Sequence, residues 1–245
     1  MKKIVNWKSF FILLAGCIVG SVLVIPYQMA LSANLAGLGA KLYFSAVLQS
    51  VIIFTPVTFF GLILVGKAGF SLPILEGEDK LNHLKSILAP SVLWGAVGGV
   101  LIILLSLLFS GISLEFLNAE TAAPIWAGFL ASFYGGIAEE ALFRLFLMSL
   151  FVWLLTKIRI PRNTSIWAVI IITGIIFGLG HLPITSEIVE LSAVVVLRAI
   201  LLNSAGSIIF SLLYWKKGLE SAMLAHFSTD IVVHVVTPFI ASFFI

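Results

Sequence analysis

The amino-acid sequence predicts an all-α protein, a polytopic bundle of seven to eight transmembrane helices. Hydrophobic residues make up 61% of the chain and charged residues only 10%, whereas soluble domains average about 45–50% apolar and about 25% charged residues. Apolar runs of membrane-spanning length recur along the chain, and Lys and Arg are concentrated in alternate loops. A soluble fold would lack the polar side chains needed to cover its surface, so the lipid bilayer is the solvent that suits this composition.

The first half of the chain contains three predicted membrane helices, because a crossing needs about 20 mostly apolar residues. These helices run over about 10–33, 43–65 and 87–109. Cys17, the single cysteine, follows Leu14-Ala15-Gly16 in a pattern like a lipoprotein cleavage site. The apolar run nevertheless continues far beyond a secretory h-region of about 7–15 residues, so we predict a retained helix. One cysteine also excludes an internal disulfide framework.

The second half contains four predicted helices, over about 124–156, 166–180, 188–214 and 219–235. The first of these is too long for one perpendicular crossing, so it is either tilted or broken near Gly135-Gly136. An apolar tail over 239–245 is short for a crossing and would supply the eighth helix. No linker is long enough for a second domain. We therefore predict one integral membrane domain over 1–245, with variable N-terminal helices over 1–110 and a core over 120–235.

The loop charges predict the orientation of the bundle. Lys and Arg fall in the N-terminal segment and in three alternate loops, with Lys41 as the exception: Lys2, Lys3, Lys8, Lys67, Lys80, Lys85, Lys157, Arg159, Arg162, Lys216 and Lys217. The positive-inside rule then places the N-terminus in the cytoplasm, and we expect the plasma membrane of a prokaryote. The net charge of +3 comes from these loops and not from a basic face, so nucleic-acid binding gains no support.

Three ionisable residues lie inside the long fourth run, where each costs about 2.5–3.5 kcal/mol on insertion scales and is a functional candidate by default. Glu140 and Arg144 are four residues apart, so they share a helix face and can pair. Glu139 points about 100° away from Glu140. One carboxylate can therefore be neutralised while the other stays free, which is how proteins separate a structural acid from a working base.

Two further polar clusters lie on later helices. His181 ends the fifth run in Phe177-Gly-Leu-Gly-His181, and Phe177, one turn earlier, is expected to pack against it. His226, Asp230 and His234 are spaced i, i+4 and i+8, so they form one polar stripe on the last helix. Counting about 1.5 Å per residue places Glu139 and His181 at similar depth, His226 lower and His234 closer to their level. Either the last helix begins later than residue 219, or His234 contributes more to the site than His226 does.

These clusters resemble the three signatures of the CAAX-processing and bacteriocin-processing (CPBP, or Abi) membrane protease family. The signatures read Glu139-Glu140-Ala-Leu-Phe-Arg144, Phe177-Gly-Leu-Gly-His181 and His226-Phe-Ser-Thr-Asp230. Their order and spacing match the family over about 120–235, whereas the first 110 residues share only its hydropathy.

The resemblance implies a glutamate-dependent intramembrane endopeptidase that hydrolyses a peptide bond of a membrane protein or peptide, either prenylated or bacteriocin-related. It implies that Glu139 activates water with help from His181, and that Arg144 pairs with Glu140. His226 and Asp230 would face the developing oxyanion. Some members have Asn at the position of Asp230, and an ionised Asp cannot donate a hydrogen bond. Asp230 would therefore be protonated or would orient His226.

Other functions use the same polar residues. A zinc hydrolase could draw ligands from Glu139, Glu140, His181, His226, Asp230 and His234. The sequence lacks a His-Glu-x-x-His element, and Arg144 would repel a cation, so we expect no cofactor. A transporter predicts inverted repeats and polar breaks in both halves, which the first half lacks. A binding protein with an immunity role would keep the same fold without catalysis.

Overall fold

The computed structural model describes residues 5–244, so Lys2 and Lys3 of the orientation argument lie outside the described residues. Within them the chain has no β-strand and eight main helices: α1 (Trp7–Leu31), α2 (Ala40–Lys67), α3 (Lys80–Ser106), α4 (Ser110–Ala122), α5 (125–157), α6 (Arg162–Ser186), α7 (Ala193–Lys217) and α8 (Leu219–Ala241). Six stretches, namely α1, α2, Lys80–Ala122, α6, α7 and α8, are long and apolar enough to cross a membrane. The predicted helical membrane bundle is confirmed.

α5 is the seventh helix of spanning length, and it carries Glu139, Glu140 and Arg144, of which Glu140 and Arg144 are fully buried. The sequence allowed either one long helix or a break near Gly135-Gly136. The helix continues through these two glycines, so it is one long helix. Its middle is π-helical over Tyr134–Glu139 and Ala141–Met148. A π-turn is rare and frequently marks a functional site.

Several helix ends differ from the predicted ones for local reasons. α3 begins at Lys80, seven residues early, because the carboxylate of Asp79 caps its first turn by accepting from Asn82 N–H. α7 begins at Ala193 behind the Ser192 cap. The apolar tail expected over 239–245 continues α8 beyond a third π segment, Val232–Val236, and α8 ends at Ala241. Within residues 5–244 the tail therefore adds no separate crossing.

The loops that carry most of the positive residues meet at one end of the bundle. Arg162 donates to the carbonyls of Ala68 and Gly69 at 2.9–3.2 Å, and the Leu219 amide donates to Ser71 O at 3.1 Å. We call this end the basic end. Next to it lies a buried apolar cluster to which α1, α2, α5, α6, α7 and α8 all contribute. Cys17 is fully buried within α1, as expected for a small residue inside a membrane helix.

Candidate active site

Arg144 and Glu140 form a fully buried ion pair on α5. Nη1 of Arg144 lies 2.9 Å from Oε1 of Glu140. The other guanidinium nitrogen, Nη2, donates to the carbonyl and the hydroxyl of Ser207 on α7, at 3.0 and 2.8 Å. Because a buried charge is tolerated only when paired and hydrogen-bonded, this arrangement locks α5 against α7. The pairing expected from the i, i+4 spacing is present.

His226 is the second partner of the Glu140 carboxylate. Its Nδ1 lies 2.7 Å from Oε1 of Glu140, and an ionised carboxylate only accepts, so Nδ1–H is the donor. The imidazole is stacked on Phe210, with ring centroids 4.3 Å apart and an interplanar angle of 18°. These contacts fix the ring and leave Nε2 facing Glu139 and Asp230, at 3.6 and 3.5 Å. A histidine held by one nitrogen presents the other in a defined direction.

Gly135 makes room for this cluster where α5 crosses α8. A Cβ at this position would stand 3.0 Å from Nε2 of His226 and would overlap the carboxylate of Asp230. At the next residue, Gly136, a Cβ would stand 3.1 Å from Met223 O on α8. The Gly-Gly pair therefore lets the two helices touch through their backbones, which brings Asp230 and His226 beside the glutamates.

Glu139 differs from Glu140 in its surroundings. The Glu140 side chain has no exposed surface, whereas the Glu139 side chain remains 18% exposed and lines two cavities, of about 250 and about 320 Å³. The imidazole nitrogen that faces Glu139 is 3.6 Å away, beyond hydrogen-bonding distance. The two adjacent carboxylates therefore have the unequal surroundings that the sequence indicated. Glu140 is bound within the protein, and Glu139 faces a cavity that water can enter.

His181 lines the same two cavities from the end of α6. Its Nδ1 lies 2.8 Å from the carbonyl of Phe177, which only accepts, so Nδ1–H donates and Nε2 is the free nitrogen. Phe177 packs edge-on against His181, with centroids 4.7 Å apart, as predicted. The structure therefore brings Glu139, His181, His226 and Asp230 around one cavity, with Glu140 and Arg144 behind it.

The depth inferred for His226 was wrong. Residue counting placed it below Glu139, yet its imidazole contacts both glutamates. The reason lies at the start of α8, which is buried inside the bundle: Glu220, 8% exposed, accepts from the amides of Ile74 and Leu75 in the loop before α3. α8 therefore begins deeper than its neighbours.

The sequence stripe on α8 is confirmed, because His226, Asp230 and His234 all line the cavity of about 250 Å³. His234 is not beside Glu139, however. Its Nδ1 lies 2.8 Å from the hydroxyl of Tyr27 and 3.5 Å from Glu120. The sequence analysis did not identify four residues of the site: Tyr27, Glu120, Ser207 and Phe210. For Tyr27 alone there was a signal, a single tyrosine beside Pro26 in an apolar run.

Arg198 makes the interhelical contacts of a polar residue in a membrane helix. Its Nε lies 3.3 Å from Ser113 Oγ on α4, and its guanidinium stacks 4.2 Å from the ring of Phe116. Among the described residues, no three His, Cys, Asp or Glu side chains are grouped closely enough to hold a metal ion.

The segment that carries the candidate residues is similar to a known protein family. Residues 121–232 match the model of a family described as type II CAAX prenyl endopeptidase Rce1-like. All six candidate residues lie within this segment. The match confirms the resemblance to CAAX-processing membrane proteases, and with it the prediction that the chain is an enzyme of the protease class. No curated protein and no solved structure was found to match the chain.

Proposed function

We propose that this CAAX-type membrane protease is a glutamate-dependent endopeptidase in which Glu139 activates the attacking water. The observation that supports it is the division between two adjacent carboxylates. Glu140 is buried and bound to Arg144 and His226 within 2.9 Å, whereas Glu139 faces the cavity. A general base needs to reach a water and the substrate carbonyl, and only Glu139 of the two can do so.

His181 is proposed to hold the attacking water together with Glu139. Both side chains line both cavities, and Nε2 of His181 is available because Nδ1–H is bound to Phe177 O. Peptide hydrolysis then proceeds by transfer of a water proton to Glu139 while the hydroxide adds to the carbonyl carbon. Glu139 later returns this proton to the leaving amine, so that the carboxylate is regenerated.

His226 is proposed to stabilise the oxyanion of the tetrahedral intermediate. An imidazolium at this position donates Nδ1–H to Glu140 and directs Nε2–H into the cavity, where negative charge develops. Asp230, 3.5 Å from Nε2, orients the ring and balances its charge. Arg144 and Glu140 act as positioning residues, because they contact His226 and Ser207 and stay away from the cavity.

The proposed substrate is a membrane-associated peptide, prenylated or related to bacteriocins. We place the catalytic core at 120–235 and treat 1–110 as supporting helices, although Tyr27 and Gln28 of α1 also line the cavity. The enzyme is proposed to reside in the plasma membrane of a prokaryote.

The test is cleavage of quenched peptides with hydrophobic or prenylated C-terminal segments by the detergent-purified chain. Wild type is compared with Glu139→Ala and His181→Ala, with and without a chelator. The proposal predicts that both substitutions abolish cleavage and that the chelator has no effect. Inhibition by chelator with recovery on adding zinc would assign a metalloprotease instead. Wild-type cleavage that survives both substitutions would show that the assigned residues are not the active site.

A further inference from the structure

The two ends of the bundle differ sharply in charge. Within residues 5–244 nine Lys and Arg side chains lie at or near the basic end: Lys8, Lys67, Lys80, Lys85, Lys157, Arg159, Arg162, Lys216 and Lys217. Lys41, at the start of α2, lies at the other end. Lys and Arg next to membrane helices remain on the cytoplasmic side. The folded bundle, in which these loops contact one another, therefore points its basic end to the cytoplasm.

Tight packing fills the space between the basic end and the candidate active site. The buried apolar cluster there includes Leu145, Met148, Ile170 and Leu219, none of them more than 1% exposed. A buried hydrogen bond of 2.8 Å between Ser149 and Tyr214 lies in the same layer. Close-packed cores contain few voids larger than a water molecule, so a peptide cannot pass from the basic end to Glu139 without unfolding this layer.

Both cavities lie on the other side of that layer. The cavity of about 250 Å³ is lined by parts of α1, α4, α6, α7 and α8 that lie away from the basic end, as its residues Gln28, Glu120, Ile184, Arg198 and His234 show. Gln28, Ile184, Arg198 and His234 are each nearer in sequence to the end of their helix opposite the basic loops, and Glu120 lies on α4, which joins α3 to α5 at that same end. The space in front of Glu139 therefore extends away from the cytoplasmic end.

The second cavity, of about 320 Å³, gives this space an opening. It runs from Glu139 and His181 to a rim that includes Leu35, Pro183 and Glu187, in the segments that follow α1 and α6 at the end opposite the basic loops. Pro183 and Glu187 are exposed. Glu187 accepts hydrogen bonds from Ser32 at 2.7 Å and from Asn34 at 3.2 Å, which ties the two segments together beside the opening.

We propose that substrates enter this active site from the extracytoplasmic face, and that the enzyme cleaves peptide segments exposed at the outer leaflet. The inference rests on the proposed function, because it takes Glu139 as the working base. It narrows the substrate class to translocated or surface-exposed segments of membrane-associated peptides. A prenylated C-terminus held at the cytoplasmic leaflet would face the packed layer instead of the opening.

The first test introduces one cysteine at a time and labels it in intact cells with a membrane-impermeant maleimide. Ser186→Cys places a thiol beside the rim, and Thr164→Cys places one at the basic end; both positions are exposed and carry a small hydroxyl residue. The unaltered chain is the blank, because its one cysteine, Cys17, is fully buried. Labelling is compared before and after the membrane is permeabilised.

The expected result is that Ser186→Cys reacts in intact cells and that Thr164→Cys reacts only after permeabilisation. The reverse pattern, or equal labelling of both variants in intact cells, would overturn the proposal. This measurement does not use peptidase activity, so it is independent of the proposed catalytic mechanism.

The second test measures cleavage of a membrane-impermeant quenched peptide by right-side-out and inside-out vesicles, with Glu139→Ala vesicles as the inactive control. The proposal predicts cleavage by right-side-out vesicles only, and cleavage confined to inside-out vesicles would contradict it. If solubilised enzyme does not cut the peptide while Ser186→Cys still labels from outside, the orientation stands and the proposed protease function fails.

Discussion

Replacing Gly135 by alanine tests the geometry of the site without altering any polar group. The added Cβ would stand 3.0 Å from Nε2 of His226, where ordinary contacts are 3.4–4 Å, and it would overlap the Asp230 carboxylate. His226 must therefore move by at least about 0.4 Å and Asp230 by more. The backbone cannot retreat freely, because a Cβ on the adjacent Gly136 would already be 3.1 Å from Met223 O.

The expected loss in kcat/KM for Gly135→Ala is about 100-fold, the scale of a 1 Å misplacement of catalytic groups. Overpacking adds a destabilisation of about 1–3 kcal/mol. The assay is peptide cleavage together with the melting temperature of the purified protein. Gly174→Ala is the matched control, because its Cβ would meet Ser204 at 3.5 Å, an ordinary contact. If Gly135→Ala and Gly174→Ala both cleaved the peptide at the wild-type rate, the inferred close packing of α5 on α8 would be refuted.

Two further predictions concern stability. Arg144→Met leaves the buried carboxylate of Glu140 without its cation, so it should lower the free energy of unfolding in detergent by about 3–5 kcal/mol. The control is Lys85→Met at an exposed position, which should leave this free energy unchanged. Equal stability of the two variants would contradict the prediction. Hydrogen bonds from the Ser32 segment hold the pKa of Glu187 below its ordinary value. A carboxyl group whose pKa is lowered by folding contributes its full stability above the unfolded pKa, and this contribution is lost as the pH falls through the folded pKa. The melting temperature of wild type should therefore exceed that of Glu187→Gln at neutral pH, and the difference should vanish on acidification. A difference that grows on acidification would contradict the prediction.

Much of the fold could be predicted from the sequence because lipid imposes simple constraints. Long apolar runs have one stable form in a bilayer, since every backbone N–H and C=O must be bonded within the segment. The pairing of Glu140 with Arg144 could be predicted for the same reason: a spacing of four residues brings two charges together on any helical segment, and burial makes their pairing obligatory. The π-helical geometry of α5 did not disturb this contact.

What could not be predicted depends on which helices touch and at what depth. The hydrogen bond between His226 and Glu140 joins residues 86 positions apart, and that between Tyr27 and His234 joins residues 207 apart. No local pattern encodes such pairs. The start of α8 inside the bundle, fixed by Glu220, shifted His226 to a level that residue counting missed. Gly135 looked like a break in a helix, whereas its role is to admit Asp230.

The most direct test of the central claim is the cleavage rate of Glu139→Gln, which keeps the volume of the side chain and removes the base. General-base catalysis typically contributes about 100- to 10,000-fold, so the rate should fall by that factor while the melting temperature stays unchanged. Glu115→Gln, an exposed glutamate on α4, is the control and should cleave at the wild-type rate. A folded Glu139→Gln enzyme that keeps more than about a tenth of the wild-type rate would show that Glu139 does not activate the water.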